Sequence, residues 1–196
     1  MFAALTGLGL SAAAGLNAYI PFLIVALFNK FTEVLTLPQG YEWISSWWSI
    51  GIATALLVSE VVLDKIPAVD TVNDAVGTFV RPSVGGVIGA ATQAAGSLDN
   101  AGFMRDNPWI GAIGGVVVAG LVHSGKMAVR PVANVSSGGV AAPVLSTVED
   151  ATSLGLSLIA LLLPLLVIVV LVALVYVGWR VVARSRRLMG KRRTAG

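Results

Sequence analysis

Val80-Arg81-Pro82 runs into Gly85-Gly86-Val87, and Val129-Arg130-Pro131 runs into Gly138-Gly139-Val140. Each Arg-Pro phrase opens an uncharged stretch, residues 82–98 and 131–148, that is rich in Gly, Ala and Ser. At about 1.5 Å per helical residue, such a stretch only just crosses a hydrocarbon core of about 30 Å. The repetition predicts a duplicated membrane unit, a pseudo-repeat built around a polar site.

The composition indicates a membrane protein. Mean hydropathy is +0.86 and 56% of the residues are hydrophobic, while only 12% are charged; about a quarter are charged in a typical soluble domain. The chain has no cysteine, which excludes disulfides, thiolate metal sites and a cysteine nucleophile. Residues 1–29 carry no charged side chain, so we expect a retained first span rather than a cleaved signal peptide.

Uncharged stretches predict an all-α, polytopic transmembrane bundle of about six spans, two of them short Gly/Ala-rich helices. The stretches are residues 1–29, 43–59, 82–98, 107–122, 131–148 and 151–179. If all six cross and the C-terminus is cytoplasmic, eleven of the 13 basic residues lie inside, in agreement with the positive-inside rule. This topology places both termini in the cytoplasm and the Glu149-Asp150 link outside. If 82–98 and 131–148 are instead re-entrant, four crossings remain.

The last part of the chain differs in charge from the rest. Seven of the 13 basic residues follow Gly178, so we divide the chain into a transmembrane domain, residues 1–179, and a basic cytoplasmic tail, residues 180–196. A basic run directly after a hydrophobic span is typical of a cytoplasmic stop that contacts anionic lipid headgroups. The expected partners are therefore the lipid bilayer and its anionic headgroups, and not a nucleic acid. The expected location is a bacterial cytoplasmic (inner) membrane.

Small residues four apart predict how the spans pack, because close backbone approach drives helix association in lipid. Such stripes occur in five of the predicted spans: Gly7/Ser11/Gly15, Gly51/Ala55/Ser59, Gly86/Ala90/Ala94, Gly111/Gly115/Ala119 and Gly138/Ala142/Ser146. Residues 161–174 are almost purely Leu, Val and Ile. This pattern predicts a lipid-facing sixth span, with the two short spans innermost.

Arg81 and Arg130 are the first candidates for a binding site. Proline is favoured in the first turn of a helix, so Pro82 and Pro131 are each expected to start one. The free amides of a helix N-terminus, together with the preceding Arg, would hold an anion such as a phosphate or carboxylate. The alternative is that each Arg is an interfacial anchor whose guanidinium extends to lipid headgroups.

Four carboxylates form the second group of candidates. Glu60 and Asp64 are four residues apart, as are Asp70 and Asp74, so each pair shares a helix face and its members repel each other. Ionisable groups within spans are functional candidates by default, and these residues would couple protons or a cation to transport. The alternative places Glu60 in the last cytosolic turn and the other three in a hydrated loop beyond Pro67.

Asn17 and Tyr19 lie before Pro21, which removes one backbone donor and clashes with the carbonyl of residue 17. The first span is therefore expected to kink or unwind there. Asn17 and Tyr19 would either satisfy the freed backbone groups or present donors to a substrate. Asn134, just before Gly138-Gly139, is assigned a similar substrate-binding role.

No catalytic or metal-binding residue is predicted. His123 is the only histidine, and a lone histidine without a nearby Cys or carboxylate cluster makes no metal site; its position suggests an interfacial residue at a span end. No nucleotide-binding, nucleophile-elbow or zinc-protease motif is present. We therefore expect neither an enzyme nor a cofactor. A weaker hypothesis is an intramembrane enzyme that uses Glu60 or His123 as its base.

Two passages of the chain carry a family resemblance: Gly9-Leu10-Ser11 through Gly15-Leu16-Asn17-Ala18-Tyr19-Ile20-Pro21, and Asp64-Lys65-Ile66-Pro67 with Val69-Asp70, Asp74, Arg81-Pro82 and Gly85-Gly86. They resemble a bacterial family of small integral membrane proteins that is catalogued as a domain of unknown function. The similarity covers nearly the whole chain except the basic tail. It implies a membrane fold and no catalytic residue.

These features together predict a small transporter or channel for an anionic or phosphate-bearing small molecule or lipid. Arg81 and Arg130 would form the polar site, with Asn17 opposite them and proton coupling through Glu60. The protein is expected to be a homo-oligomer or a subunit of a membrane complex. The alternative is a non-transporting structural or accessory subunit that docks a partner protein or anionic lipid.

Overall fold

The structure is a computed structural model that describes residues 2–95, 98, 102–138, 140–173, 175, 176, 179 and 180. These residues form helices and connecting segments and contain no strand, which confirms the all-α prediction. The basic tail predicted after Arg180 lies outside the described residues. The helices are α1 (Phe2–Leu16), α2 (Tyr19–Phe31), α3 (Trp47–Leu63), α4 (Pro67–Ala94), α5 (Gly102–Asp106), α6 (Pro108–Ser137) and α7 (Ala141–Leu162), with a 3-10 helix at Glu42–Ser45.

Helix α1 lies at the centre of the bundle, between α4, α6 and α7. Ten of its fifteen residues are buried, and most of these are Gly, Ala or Ser, whose small side chains let three neighbours approach one helix. Most of residues 82–95 are buried beside α1, whereas residues 131–148 are mostly exposed or half-buried. The prediction that the two short Gly-rich spans are innermost therefore agrees with the described part of the first span and is wrong for the second. Residues 162–172 are mostly exposed, as expected for an outer segment.

Helices α4 and α6 run antiparallel and form the largest interface in the bundle. They cross backbone to backbone where Gly85 faces Gly115 and Gly89 faces Gly111. A Cβ atom added at Gly85 would lie 2.5 Å from the Cβ of Ala119, which is closer than real side chains approach. We call this contact the glycine crossing. It exists because these four positions carry no side chain.

The first predicted span is two helices rather than one. Helix α1 ends at Leu16 and α2 begins at Tyr19, which confirms the break predicted before Pro21. Residues 24–26 of α2 join a core cluster that also contains Ala91 and Ala160. Since Ala160 contacts Gly9 in the middle of α1, the chain turns at Asn17 and α2 runs back along the bundle beside α1.

The predicted short spans 82–98 and 131–148 are not separate helices. Pro82 lies inside α4 and Pro131 lies inside α6, so neither proline starts a helix and neither Arg precedes a helix N-terminus. The helix continues through each proline because only one backbone hydrogen bond is lost there, and the turn before it is held by the contacts of the preceding Arg. The chain turns instead at Gly138, whose positive φ of 62° favours glycine.

Two described helices are long and apolar enough to cross a membrane, α6 over Pro108–Val135 and α7 over Ala141–Leu162. Helices α1, α2 and α3 are apolar but shorter; the fifteen residues of α1 extend about 22 Å, less than a hydrocarbon core of about 30 Å. Large hydrophobic side chains are exposed along α6, among them Ile113, Val117 and Leu121. The lengths of the described helices therefore do not support six full membrane crossings.

Candidate functional site

Seven charged side chains from four helices meet at one end of the bundle, away from the glycine crossing. We call them the charged cluster. Its carboxylates are Glu60 of α3, Asp64 just after α3, Asp74 of α4 and Glu149 of α7, and its cations are Arg81 of α4 with Lys126 and Arg130 of α6.

Helical spacing brings these side chains together. Glu60 and Asp64 are one turn apart, and Asp74 and Arg81 are two turns apart on α4. Lys126 and Arg130 share a face of α6 because that helix continues unbroken to Ser137. Since α4 and α6 are antiparallel, the faces that meet at the glycine crossing also meet here.

Asp74 is the centre of the charged cluster. Its Oδ1 lies 3.2 Å from Arg81 Nη1 and 3.4 Å from Lys126 Nζ, and its Oδ2 lies 3.5 Å from Arg130 Nη1. The exposed fractions are 1% for Arg81 and 3% for Arg130. The two arginines of the repeated phrase therefore share one buried carboxylate, and neither extends to a headgroup as an interfacial anchor would.

Arg130 also binds the two acidic residues on the far side of the cluster. Its Nε donates to Glu149 Oε1 at 3.1 Å, its Nη2 contacts Glu149 Oε2, and Nη2 also donates to Asp64 Oδ2 at 3.1 Å. Glu149 lies 3.1 Å from Lys126 Nζ as well. The topology that placed Glu149 outside and Lys126 inside is therefore wrong, since these side chains touch.

Asp64 lies in the turn between α3 and α4. Its burial alone would raise the pKa of the carboxyl group, but Lys126, the Asn73 amide and Arg130 outweigh that effect and hold the pKa below its ordinary value. The Asn73 side chain donates to Asp64 Oδ1 at 2.6 Å. Asp64 is consequently ionised in the folded protein at neutral pH.

His123 is a member of this region that the sequence analysis misplaced. It is 2% exposed rather than interfacial, and its Nδ1 lies 2.9 Å from Arg81 Nη1 while its Nε2 lies 3.2 Å from Thr78 Oγ1. A guanidinium can only donate, so Nδ1 must accept and the proton must be on Nε2. His123 is therefore a neutral imidazole that orients Arg81. The Thr78 hydroxyl in turn donates a hydrogen bond to the backbone carbonyl oxygen of Asp74 at 3.0 Å.

Asn17 connects the cluster region to the α1–α2 break. Its Oδ1 accepts the backbone N–H groups of Tyr19 and Ile20 at 3.0 and 3.2 Å, and its Nδ2 donates to Asp150 Oδ1 at 2.9 Å. It thus satisfies the first free amides of α2, as the sequence suggested. At the same break, the Leu16 carbonyl accepts from Lys126 Nζ at 3.3 Å.

The remaining predicted residues are placed as follows. Tyr19 lines a small cavity beside Glu60 and Arg81. Asn134 is one turn beyond Arg130, and its buried Oδ1 has no hydrogen-bond partner among the described residues. The side chain of Asp70 lies outside the described part of the structure. No group of three or more metal-ligating side chains occurs among the described residues.

Lys126 and Glu149 of the charged cluster were not predicted as site residues, and His123, which contacts Arg81 beside the cluster, was predicted to be interfacial. The spacing 123, 126, 130 is the signal that finds two of them, because residues three and four apart share a helix face. The predicted spans end at residue 122 and resume at 131, which leaves these three residues in a loop, whereas α6 is continuous over Pro108–Ser137. Glu149 carried no comparable signal, since its position depends on the turn at Gly138.

The fold and site define an all-helical protein with a buried ion-pair network at one end. The chain belongs to the family described as Domain of unknown function (DUF4126), whose model matches residues 4–184. This confirms the resemblance to an uncharacterised family. No curated protein and no solved structure matches the chain.

Proposed function

We propose that the protein is a small membrane transporter or channel in which the charged cluster couples movement of an anionic small molecule or lipid headgroup to a proton. The observation that carries this proposal is the burial of Arg81 and Arg130 against one carboxylate, Asp74. Ionisable side chains are costly within an apolar helical bundle and mark transport and proton pathways where they occur. The apolar length of α6 and α7 supports the membrane location.

The charge balance of the cluster supports a proton. Among the described residues, four carboxylates of the charged cluster face three cations, so full ionisation of these seven groups gives a net charge of 3 − 4 = −1. An uncompensated buried charge is expensive, and protonation is the usual way in which a buried carboxylate avoids it. His123 contributes no charge as the neutral imidazole described above.

Anion binding then follows from an exchange of partners. Glu60 and Asp74 occupy the two Nη atoms of Arg81, so an external anion that binds these atoms replaces a carboxylate. Protonation weakens the hold of that carboxylate on the guanidinium and frees a donor for a phosphate or carboxylate ligand. Proton uptake and anion binding thereby favour each other, which is the coupling that a symporter requires.

Proton flux in liposomes tests this proposal. The purified protein is reconstituted with an internal pH dye, and an inward gradient of inorganic phosphate or a soluble phospholipid headgroup is applied. We expect internal acidification that is lost in Arg130→Lys, which keeps the charge but cannot bind two acidic residues through one planar fork. Arg105→Lys, at an exposed position in α5, is the matched control and should transport as the wild type does.

The alternative is a structural or accessory subunit, and one observation favours it. The small-residue stripe Gly51/Ala55/Ser59 is exposed on α3, whereas the stripe of α1 is buried within the chain. An exposed stripe of this kind is typical of a contact with another transmembrane helix. This function predicts a stable co-purifying partner or homo-oligomer. Wild-type protein that moves no protons with either probe would contradict transport and favour this alternative.

A further inference from the structure

Two buried polar atoms in the charged cluster have no protein partner among the described residues. They are Glu60 Oε2 and Arg81 Nε. The other atoms of the same groups are engaged: Glu60 Oε1 accepts from Arg81 Nη2 at 2.7 Å, and Arg81 Nη1 contacts Asp74 and His123. The side chains of Glu60 and Arg81 are 6% and 1% exposed. One acceptor and one donor of the same ion pair are thus buried without a partner among the described residues.

Both residues line one cavity of about 10 Å³, whose wall also contains Tyr19, Asn73 and Gly77. A cavity of this size has room for about one water molecule, which requires two to four polar partners. Gly77 leaves this flank open, because a Cβ atom there would lie 3.2 Å from Arg81 Nε and 3.3 Å from its Cζ. We call this cavity the Glu60 pocket.

We propose that the Glu60 pocket binds one water molecule between Glu60 Oε2 and Arg81 Nε, and that Glu60 Oε2 is the atom at which the charged cluster takes up its proton. The water accepts from Nε–H and donates to Oε2. In the uptake step a hydronium ion replaces it: one O–H bond of H₃O⁺ breaks, a new O–H bond forms at Oε2, and the products are a neutral carboxylic acid and water. The role in transport rests on the proposed function, whereas protonation in the pocket does not.

Glu60 is singled out among the four carboxylates by its partners. Asp74 contacts three cations, and Asp64 and Glu149 contact two each. Among the described residues Glu60 has one cationic partner, Arg81, and uses one oxygen for it. Protonation is least opposed where the fewest cations stabilise the anion. The titratable and charged groups that face Glu60 are Tyr19 of α2, Asp64 beyond its own helix, Asp74 and Arg81 of α4 and Lys126 of α6.

Infrared difference spectroscopy of the purified full chain over a pH series tests the pocket. A protonated carboxyl group gives a C=O stretching band that is absent from the carboxylate, and in a buried group this band lies at a higher frequency than in the exposed carboxyl groups, from which it is distinguished. We expect such a band to appear on acidification in the wild type and to be missing in Glu60→Gln. Glu33→Gln, at an exposed position before α3, is the matched control and should retain it. A band that persists in Glu60→Gln would overturn the assignment.

A second pair of variants tests the Glu60 pocket without removing a charge, in case Glu60→Gln does not fold. Gly77→Ala places a methyl group against Arg81 Nε, while Gly125→Ala places one on α6 where nothing lies within 4 Å. Loss of the water disfavours the carboxylate, so Gly77→Ala should raise the midpoint of the band by about one pH unit, a tenfold change in proton affinity. An unchanged midpoint would overturn the pocket.

The spectroscopic and flux measurements separate the two proposals. Loss of the band in Glu60→Gln, with no flux in the wild type, would retain the pocket and remove the transporter. Proton flux in the wild type with a band that survives Glu60→Gln would retain the transporter and move proton uptake to another carboxylate.

Discussion

The two ends of the α4–α6 interface join the same pair of helices by opposite means. At the glycine crossing, Gly85 and Gly89 face Gly111 and Gly115, and the contact depends on the absence of side chains. At the charged cluster, long side chains fill the space between the helices and bind through ion pairs. One helix–helix interface thus combines the glycine crossing, which tolerates no added atom, with the charged cluster, whose ion pairs can change partners.

The largest effect is expected at the glycine crossing. Leucine at Gly89 would place its side chain against the backbone of Gly111, which cannot move aside as a flexible side chain could. We expect Gly89→Leu to yield no folded protein by size-exclusion chromatography in detergent. Gly51→Leu is the matched control, because nothing lies within 4 Å of an added Cβ on that face of α3. Equal recovery of both variants would show that the crossing is not a close contact.

The next effect is expected at the charged cluster. Asp74→Asn leaves Arg81, Lys126 and Arg130 without their shared carboxylate, and loss of one member of a buried ion-pair network costs about 3–5 kcal/mol. Thermal unfolding in detergent should show a clear drop in Tm. Asp106→Asn, at an exposed position at the end of α5, is the matched control and should leave Tm unchanged. An equal Tm in Asp74→Asn and the wild type would show that the ion pairs of Asp74 do not stabilise the fold.

The smallest effect is expected from acid titration of Asp64. Its folded pKa lies below the ordinary value of 3.8, so its charge stabilises the fold fully above that value, and the stabilisation is lost as the pH falls through the folded pKa. The stability advantage of the wild type over Asp64→Asn should therefore be constant from pH 7 to about pH 5 and shrink below about pH 4. Chemical unfolding of both proteins over this range measures it, and an advantage that grows on acidification would contradict the sign.

Local chemistry was predictable from the sequence, and long-range register was not. The all-α class, the break at Asn17 and the importance of Arg81 and Arg130 follow from composition, from Pro21 and from a repeated phrase. The continuation of the helices through Pro82 and Pro131 depends on neighbours that only the fold supplies. The ion pairs of Arg81 and Arg130 hold the turn before each proline, and after Pro82 the close contact of Gly85 with Gly115 holds the next turn. Proline usually marks the boundary of a helix, but at Pro82 and Pro131 tertiary contacts keep the helix continuous.

The arrangement of the cluster depended on two features that the sequence does not show directly. One is the antiparallel pairing of α4 and α6, which sets Asp74 beside Lys126 and Arg130. The other is the turn at Gly138, which brings Glu149 back to Arg130. The acidic pairs were recognised as candidates, but their cationic partners were assigned to loops because the helix was divided at the wrong residue.

The crossing at Gly89 and Gly111 has a mechanical consequence. Two helices whose backbones are in contact at one end separate most readily at the other end, through a change in the angle between their axes at the contact. A small change of angle at the glycines is amplified along α4 and α6 into a larger separation of Arg81 from His123. An opening of this kind would expose the guanidinium of Arg81 while the glycine end stays closed.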